Sequence, residues 1–244
     1  MPRDRHSDGM VPAFVLVHSL VLGPLTWAPV AQRLNAAGYV SVVPDVRGVA
    51  DADQPFWPYI VDTVTAAMDR LDRDRPVLLV VHSNAGRLVP VLIEHASRPV
   101  RGCVFVDAAL PAPSGPTPVA STGRIDELRD RAVAGRLPPW TEWWDEQEVA
   151  RLFPDPQARA AISAEQPRLP LDYYQQQIPT PAGWNDGVAC GYLLFGPPYD
   201  RQAAEAVERG WLVEREPGLH LHQIVDPDSV TARLIAMSRR LSAR

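Results

Sequence analysis

The sequence predicts an α/β chain, a three-layer α/β/α sandwich on a mostly parallel sheet of about six strands with a helical cap inserted into it. Three observations predict it. Short, almost wholly apolar segments alternate with helix-patterned ones over residues 1–110. The alternation breaks over 111–187, where Pro and large aromatics accumulate. It resumes over 188–244. Strands that are apolar throughout are buried on both faces, as in a parallel sheet covered by helices on either side.

The first strand covers residues 12–18 (PAFVLVH). A helix follows from about residue 25, with Trp27, Val30, Ala31 and Leu34 at helical spacing and Gly38 as its stop. Residues 39–43 (YVSVV) give a second strand, closed by Pro44, and 44–48 read as loop. A helix over 58–72 leads to the third strand, 77–81 (VLLVV). A helix over 84–96 and a strand over 101–106 (RGCVFV) complete the first half. The inserted segment carries Trp140, Trp143, Trp144, Tyr173, Tyr174 and Trp184, which a linker would lack. Its helical stretches, 124–134 and 157–165, are kept short by the Pro residues between them. Then come a strand over 190–195 (CGYLLF), a helix over 200–209 with Asp200 as its N-cap, and a strand over 211–215. A helix over 226–241, with Pro227 in its first turn, closes the order.

At 244 residues the chain suits one domain with an inserted subdomain. Its 24 basic residues against 29 acidic ones give a net charge of −5, which argues against general nucleic-acid binding. Every basic residue is Arg. Without Lys there is neither Schiff-base chemistry nor a Walker-type phosphate site. No Gly-x-Gly-x-x-Gly follows a strand, so a dinucleotide cofactor is disfavoured. Cys103 and Cys190 are too few for a disulfide framework and fall on strands expected to be neighbours, where buried free thiols are the default. No apolar run is long enough for a membrane span. The polar stretch 1–10 lacks a signal-peptide core, and the reading places the chain in the cytoplasm. No cofactor and no metal are expected: His220-Leu221-His222 has no cluster of Asp, Glu or Cys beside it. A monomer and a homodimer are both compatible with this composition.

The chemistry sits where the third strand runs into His82-Ser83-Asn84-Ala85-Gly86 and a helix begins at once. A serine on a sharp strand-to-helix turn has its hydroxyl held out of the sheet, and the next backbone N–H can meet a developing oxyanion. Residues two before and two after such a serine must be small. Ala85 fits, whereas Val81 is expected to crowd the following helix.

With these residues in view, the chain resembles the α/β-hydrolase fold superfamily. His18-Ser19-Leu20, followed by Gly23 and Trp27, resembles its oxyanion-loop strand, where His-Gly is usual. Pro44-Asp45-Val46-Arg47-Gly48 resembles its Pro-Asp-x-Arg-Gly loop, His82 to Gly86 its nucleophile elbow, and Gly218-Leu219-His220 its histidine loop. The four motifs come in the family's order and the match spans nearly everything outside the cap. Ser19 and Val81 depart from it, each standing where a glycine is usual.

The resemblance implies a serine hydrolase with Ser83 as nucleophile and His220 as general base. The rival base is His222, two residues on; His6 falls in the N-terminal stretch and His95 near a helix end. The triad acid has two candidates, because the fold resembles enzymes that use either strand end. Asp107 directly follows the 101–106 strand and is favoured; Asp200, after the next strand, is the alternative. The backbone N–H groups of Leu20 and Asn84 would hold the oxyanion. The substrate pocket would be lined by Trp140, Trp144, Tyr173 and Trp184, suiting a small-molecule acyl substrate of apolar or aromatic character.

Three functions remain open at this stage. The first is cleavage of an ester, thioester or lactone through an acyl-enzyme. The second is a lyase, cyclase or acyl-transferase outcome at the same site, motivated by Val81 and Ser19. The third is ligand binding without turnover. Dehalogenation is disfavoured, since it needs a carboxylate at position 83.

Overall fold

In a computed structural model the described residues are 10–243; His6 and most of the polar stretch 1–10 lie outside them. The first half contains β1 (Ala13–Val17), α1 (Ala28–Ala36), β2 (Ser41–Val42), α2 (Trp57–Asp69), β3 (Val77–His82), α3 (Val89–Glu94) and β4 (Val100–Val106). The insertion holds β5 (Thr117–Pro118), α4 (Thr122–Arg131), α5 (Glu146–Ala150), α6 (Pro156–Ala164), α7 (Asp172–Gln175) and β6 (Gln177–Ile178). The second half holds β7 (Ala189–Leu194), α8 (Asp200–Glu208), β8 (Leu212–Arg215), α9 (His222–Val225) and α10 (Pro227–Ser242).

The main sheet has six strands in the order β2-β1-β3-β4-β7-β8, all parallel. Successive side chains of a strand point to opposite faces. Val15, Val17, Leu79, Val81 and Phe105 enter one core with α2, α3 and the insertion, while Phe14, Leu16, Val80 and Val104 enter the other with α1 and α10. Both faces are therefore dry, which is why the strands read as unbroken apolar runs. Val81 is fully buried in the first core, so the side chain expected to crowd the turn is accommodated there.

Two expected helices divide. The helix expected from residue 25 begins as a 3-10 turn, Pro24–Thr26, and that over 84–96 as a 3-10 segment, Ser83–Leu88, with Pro90 opening α3. Asp200 does not cap α8. Tyr199 holds the N-cap position without a side-chain bond, and the exposed Asp200 carboxylate pairs with Arg215 at 3.2 Å. Cys103 and Cys190 are register partners on β4 and β7, free and buried, with their sulfurs 3.3 Å apart. No described helix is long and apolar enough to cross a membrane.

The chain goes from β1 to β2 on one side and then crosses to β3 on the other. Ligands of open parallel sheets bind outside the strands' carboxyl ends at such a switch point. Ser19 and Leu20 leave β1 there, and Ser83 leaves β3.

Candidate active site

Ser83 stands at the carboxyl end of β3 with φ +58°, a left-handed backbone that only a tight turn imposes on serine. The turn is compressed. A Cβ on Gly86 would lie 2.0 Å from the carbonyl oxygen of Ala109, so only glycine fits beneath the elbow. The Ser83 Oγ is 3.0 Å from Nε2 of His220, whose Nδ1 is 2.6 Å from Oδ2 of Asp107. Asp107 follows β4 with φ +43° and is 1% exposed; its Oδ1 accepts from the Phe195 N–H at 3.2 Å. Of the two candidate carboxylates, the structure brings the favoured Asp107 and not Asp200 to His220.

The His220 ring is held on several sides. Tyr199 stacks on it, centroids 5.1 Å apart and planes 12° apart, and the Tyr199 hydroxyl is 3.4 Å from Ser83 Oγ. His82 lies against it at 4.6 Å and Trp140 at 6.1 Å. His82 Nε2–H donates to the His220 carbonyl oxygen at 2.9 Å, tying the loop of the base to the strand of the serine. Burial and the neighbouring His220 hold the His82 pKa well below the usual range, so it serves as a neutral donor. The rival His222 instead packs edge-on against Phe195 and fills the space where a Gly218 side chain would stand. Tyr199 was not singled out from the sequence. Its position depends on the turn after β7, which no periodicity signals.

The oxyanion region departs from expectation in one respect. The Leu20 N–H donates to Oδ1 of Asn84 at 2.8 Å, and Ser19 Oγ donates to the same oxygen at 3.0 Å. The Asn84 side chain thus spans the gap between the β1 loop and the elbow and occupies one expected oxyanion donor. Behind it, buried His18 donates from Nδ1 to the Ser19 carbonyl oxygen at 2.8 Å and accepts the Val46 N–H on Nε2 at 3.2 Å. Burial lowers its pKa to about 4, so it too is neutral.

A cavity of about 650 Å³ opens over Ser83 and His220. Trp140, Trp143, Trp144 and Tyr174 of the insertion line it, with Tyr199 from the core. Two expected lining residues do not. Tyr173, 1% exposed, is turned away from the cavity against Phe56, and Trp184 packs edge-on against Trp211. Tyr173 and Tyr174 sit side by side on the one-turn α7, where neighbours face different ways. Arg87 and Arg124 also line the cavity, and neither was expected. Among the described residues no group of three or more His, Cys, Asp or Glu could hold a metal ion.

Comparison with known proteins identifies the fold. A family model described as alpha/beta hydrolase fold matches residues 12–189. No curated protein matches the sequence. Solved structures similar to it include an extracellular alpha/beta-hydrolase from a Paenibacillus species, described as sharing structural and functional homology with tobacco salicylic acid binding protein 2. Its TM-score is 0.71 at 16% identity, over 93% of this chain and 98% of that one. Polyneuridine aldehyde esterase gives 0.67 at 16% identity, over 93% and 99%. A variant of tomato methylketone synthase I complexed with beta-ketoheptanoate gives 0.72 at 13% identity, over 94% and 98%. At these identities the likeness to each structure is one of fold.

Proposed function

The chain belongs to the alpha/beta hydrolase fold family, and from that premise we propose that it is a serine hydrolase cleaving a carboxylic ester, thioester or lactone. The observation that carries the proposal is the unbroken relay Ser83 Oγ–His220–Asp107, at 3.0 and 2.6 Å, under a substrate-sized cavity. His220 takes the Ser83 proton as Oγ attacks the carbonyl carbon, and the imidazolium is paired with Asp107. The tetrahedral oxyanion is held by the Asn84 backbone N–H and, once the Asn84 side chain swings away, by that of Leu20. His220 then protonates the leaving group. Water, deprotonated by His220, attacks the acyl-enzyme and frees the acid. The insertion acts as a cap that excludes bulk water over this centre.

A small fluorophosphonate tests the first step directly. Intact mass should show one adduct on the wild type and none on Ser83→Ala, and His220→Ala should label far more slowly. Equal labelling of wild type and Ser83→Ala would remove the proposal.

One observation favours a second reading. The Leu20 N–H is already occupied by Asn84, so this site holds its resting oxyanion region closed. A reaction with a different electrophile, running as a lyase, cyclase or acyl transferase, fits a hole of that kind. Product analysis separates the two: hydrolysed product with every accepted substrate excludes the second.

A further inference from the structure

The cavity over Ser83 is walled mainly by aromatic and aliphatic side chains, yet two guanidinium groups reach it, and they differ. Arg124 is spent. It donates to Glu127 at 2.7 Å and lies 5.6 Å over the Trp143 ring. Arg87 has no hydrogen-bond or ion-pair partner among the described residues, although it is half-buried. Its charge acts on the hydroxyls of Tyr173, Tyr174 and Tyr199, all of which burial keeps protonated, so its near neighbours are neutral. One of them is itself unsatisfied. Tyr174 is 7% exposed and lines the cavity, and its hydroxyl has no partner among the described residues. The acid among the lining residues, Glu148, is exposed and makes no ion pair with Arg87. The Arg87 guanidinium and the Tyr174 hydroxyl therefore keep their donors free towards the cavity, where a bound acceptor can take them.

We propose that Arg87 and Tyr174 form a carboxylate subsite, so that the substrate carries an anionic group at the far end of its acyl chain. The inference rests on the serine-hydrolase reading of the same centre. Arg87 lies four residues after Ser83 on the 3-10 segment Ser83–Leu88. The backbone rises by about 8 Å over those four residues, and both side chains line the same cavity of about 650 Å³, so chains of four or five methylenes are the lengths to test. An acyl group bound there meets Ser83 at its carbonyl, Trp140 and Trp143 along its methylenes, and Arg87 at its carboxylate. The guanidinium offers two parallel N–H donors to that carboxylate, and the Tyr174 hydroxyl a third. The expected apolar acyl chain is thereby given a charged end.

The test compares 4-nitrophenyl half-esters of adipic and pimelic acid with the same esters methylated at the far carboxyl, a change that removes the charge at the expense of one added methyl. The wild type should favour the charged ester in kcat/KM by about tenfold or more, carried mainly in KM. Arg87→Gln should abolish that preference, and Arg87→Lys should restore part of it. Monomethyl pimelate titrated into Ser83→Ala, read by quenching of the cavity tryptophans, gives affinity without turnover. It should fall about tenfold or more when Arg87→Gln is added. Turnover with equal preference in wild type and Arg87→Gln overturns the subsite and leaves the hydrolase reading standing. Arg87-dependent binding with no turnover of either ester leaves the subsite standing and removes the hydrolase reading. Absence of both preference and binding overturns the subsite.

Discussion

Ser83 and Asp107 both hold backbone angles that side chains disfavour, φ +58° and +43°. Such conformations cost about 1–3 kcal/mol each and persist only where the surroundings over-determine them. Here they do. The Ala109 N–H donates to the Ser83 carbonyl at 2.9 Å, and the Asp107 N–H to the Leu193 carbonyl at 2.8 Å. The Tyr192 hydroxyl bridges both the N–H and the carbonyl of Ala108, at 2.9 and 2.8 Å. These contacts fix the Asp107 carboxylate beside His220 before any substrate arrives. Asp107→Asn keeps the size of the side chain and an acceptor for the Phe195 N–H but loses the charge opposite the imidazolium. Its kcat should fall by roughly a thousandfold or more. Asp200→Asn, on an exposed carboxylate paired with Arg215, should change kcat by less than about twofold. Steady-state rates on one activated ester decide between them, and the reverse ranking would give the acid role to Asp200.

At the scale of elements, the loop after β1 and the loop after β2 are pinned to each other by one neutral histidine, His18, between Ser19 and Val46. Burial lowers its pKa from 6.5 to about 4. The unfolded chain therefore binds a proton at this site from pH 6.5 downward, while the folded chain does not until about pH 4. The stability tied to a neutral His18 is complete above pH 6.5 and is lost as pH falls from there to about 4, by about 3 kcal/mol in all. Urea unfolding at pH 7.5, 6, 5 and 4.5 should show this slope in the wild type and a flatter one in His18→Gln; parallel slopes would refute it. The strands around this pin were legible in the sequence because burial on both faces leaves unbroken apolar runs such as 77–81. The 3-10 starts at Pro24–Thr26 and Ser83–Leu88 were not, because their hydrogen-bond register is set by packing and not by side-chain spacing. The serine, the histidine loop and both candidate carboxylates were likewise readable from their order. Asp107 was favoured over Asp200 from its place directly after a strand, but that it meets His220 is set by side-chain direction at the end of a loop, as is, on a one-turn helix, which of Tyr173 and Tyr174 faces the cavity. Arg87 carried a signal that was available, a charge four residues past the serine, but its lack of a partner is a property of the folded chain alone.

For the whole molecule, the insertion leaves at the end of β4 and returns at the start of β7, two strands that pair directly in the sheet. Its two covalent attachments are thus to one pair of neighbouring strands, and polar contacts with the core fasten it elsewhere. Gln54 donates to Asp172 at 2.8 Å, the Phe56 N–H to Gln176 at 3.1 Å, and Arg136 to the Ala50 carbonyl at 2.9 Å. The Leu25 N–H also donates to Oε1 of Glu165 at 2.9 Å. The Glu165 carboxylate fits against Gly23, where a Cβ would come within 2.3 Å of it. Its pKa is raised by desolvation, opposed by the Leu25 N–H and the Arg47 charge, so the contact holds an acid that would be better hydrated outside. A fastening of this kind is easily released, which fits the cap role proposed for the insertion. Glu165→Ala removes the acceptor and leaves the Leu25 N–H to water, weakening the closed arrangement by about 1–2 kcal/mol. Limited proteolysis of the folded variant should then cut within 111–187 several-fold faster than in the wild type, with cleavage in the strand core unchanged. Glu165→Gln keeps the acceptor without the charge and should stay close to the wild type. Unchanged cleavage of the insertion in Glu165→Ala would mean that apolar packing, led by Trp143, Phe153 and Ile162, holds it closed without this latch.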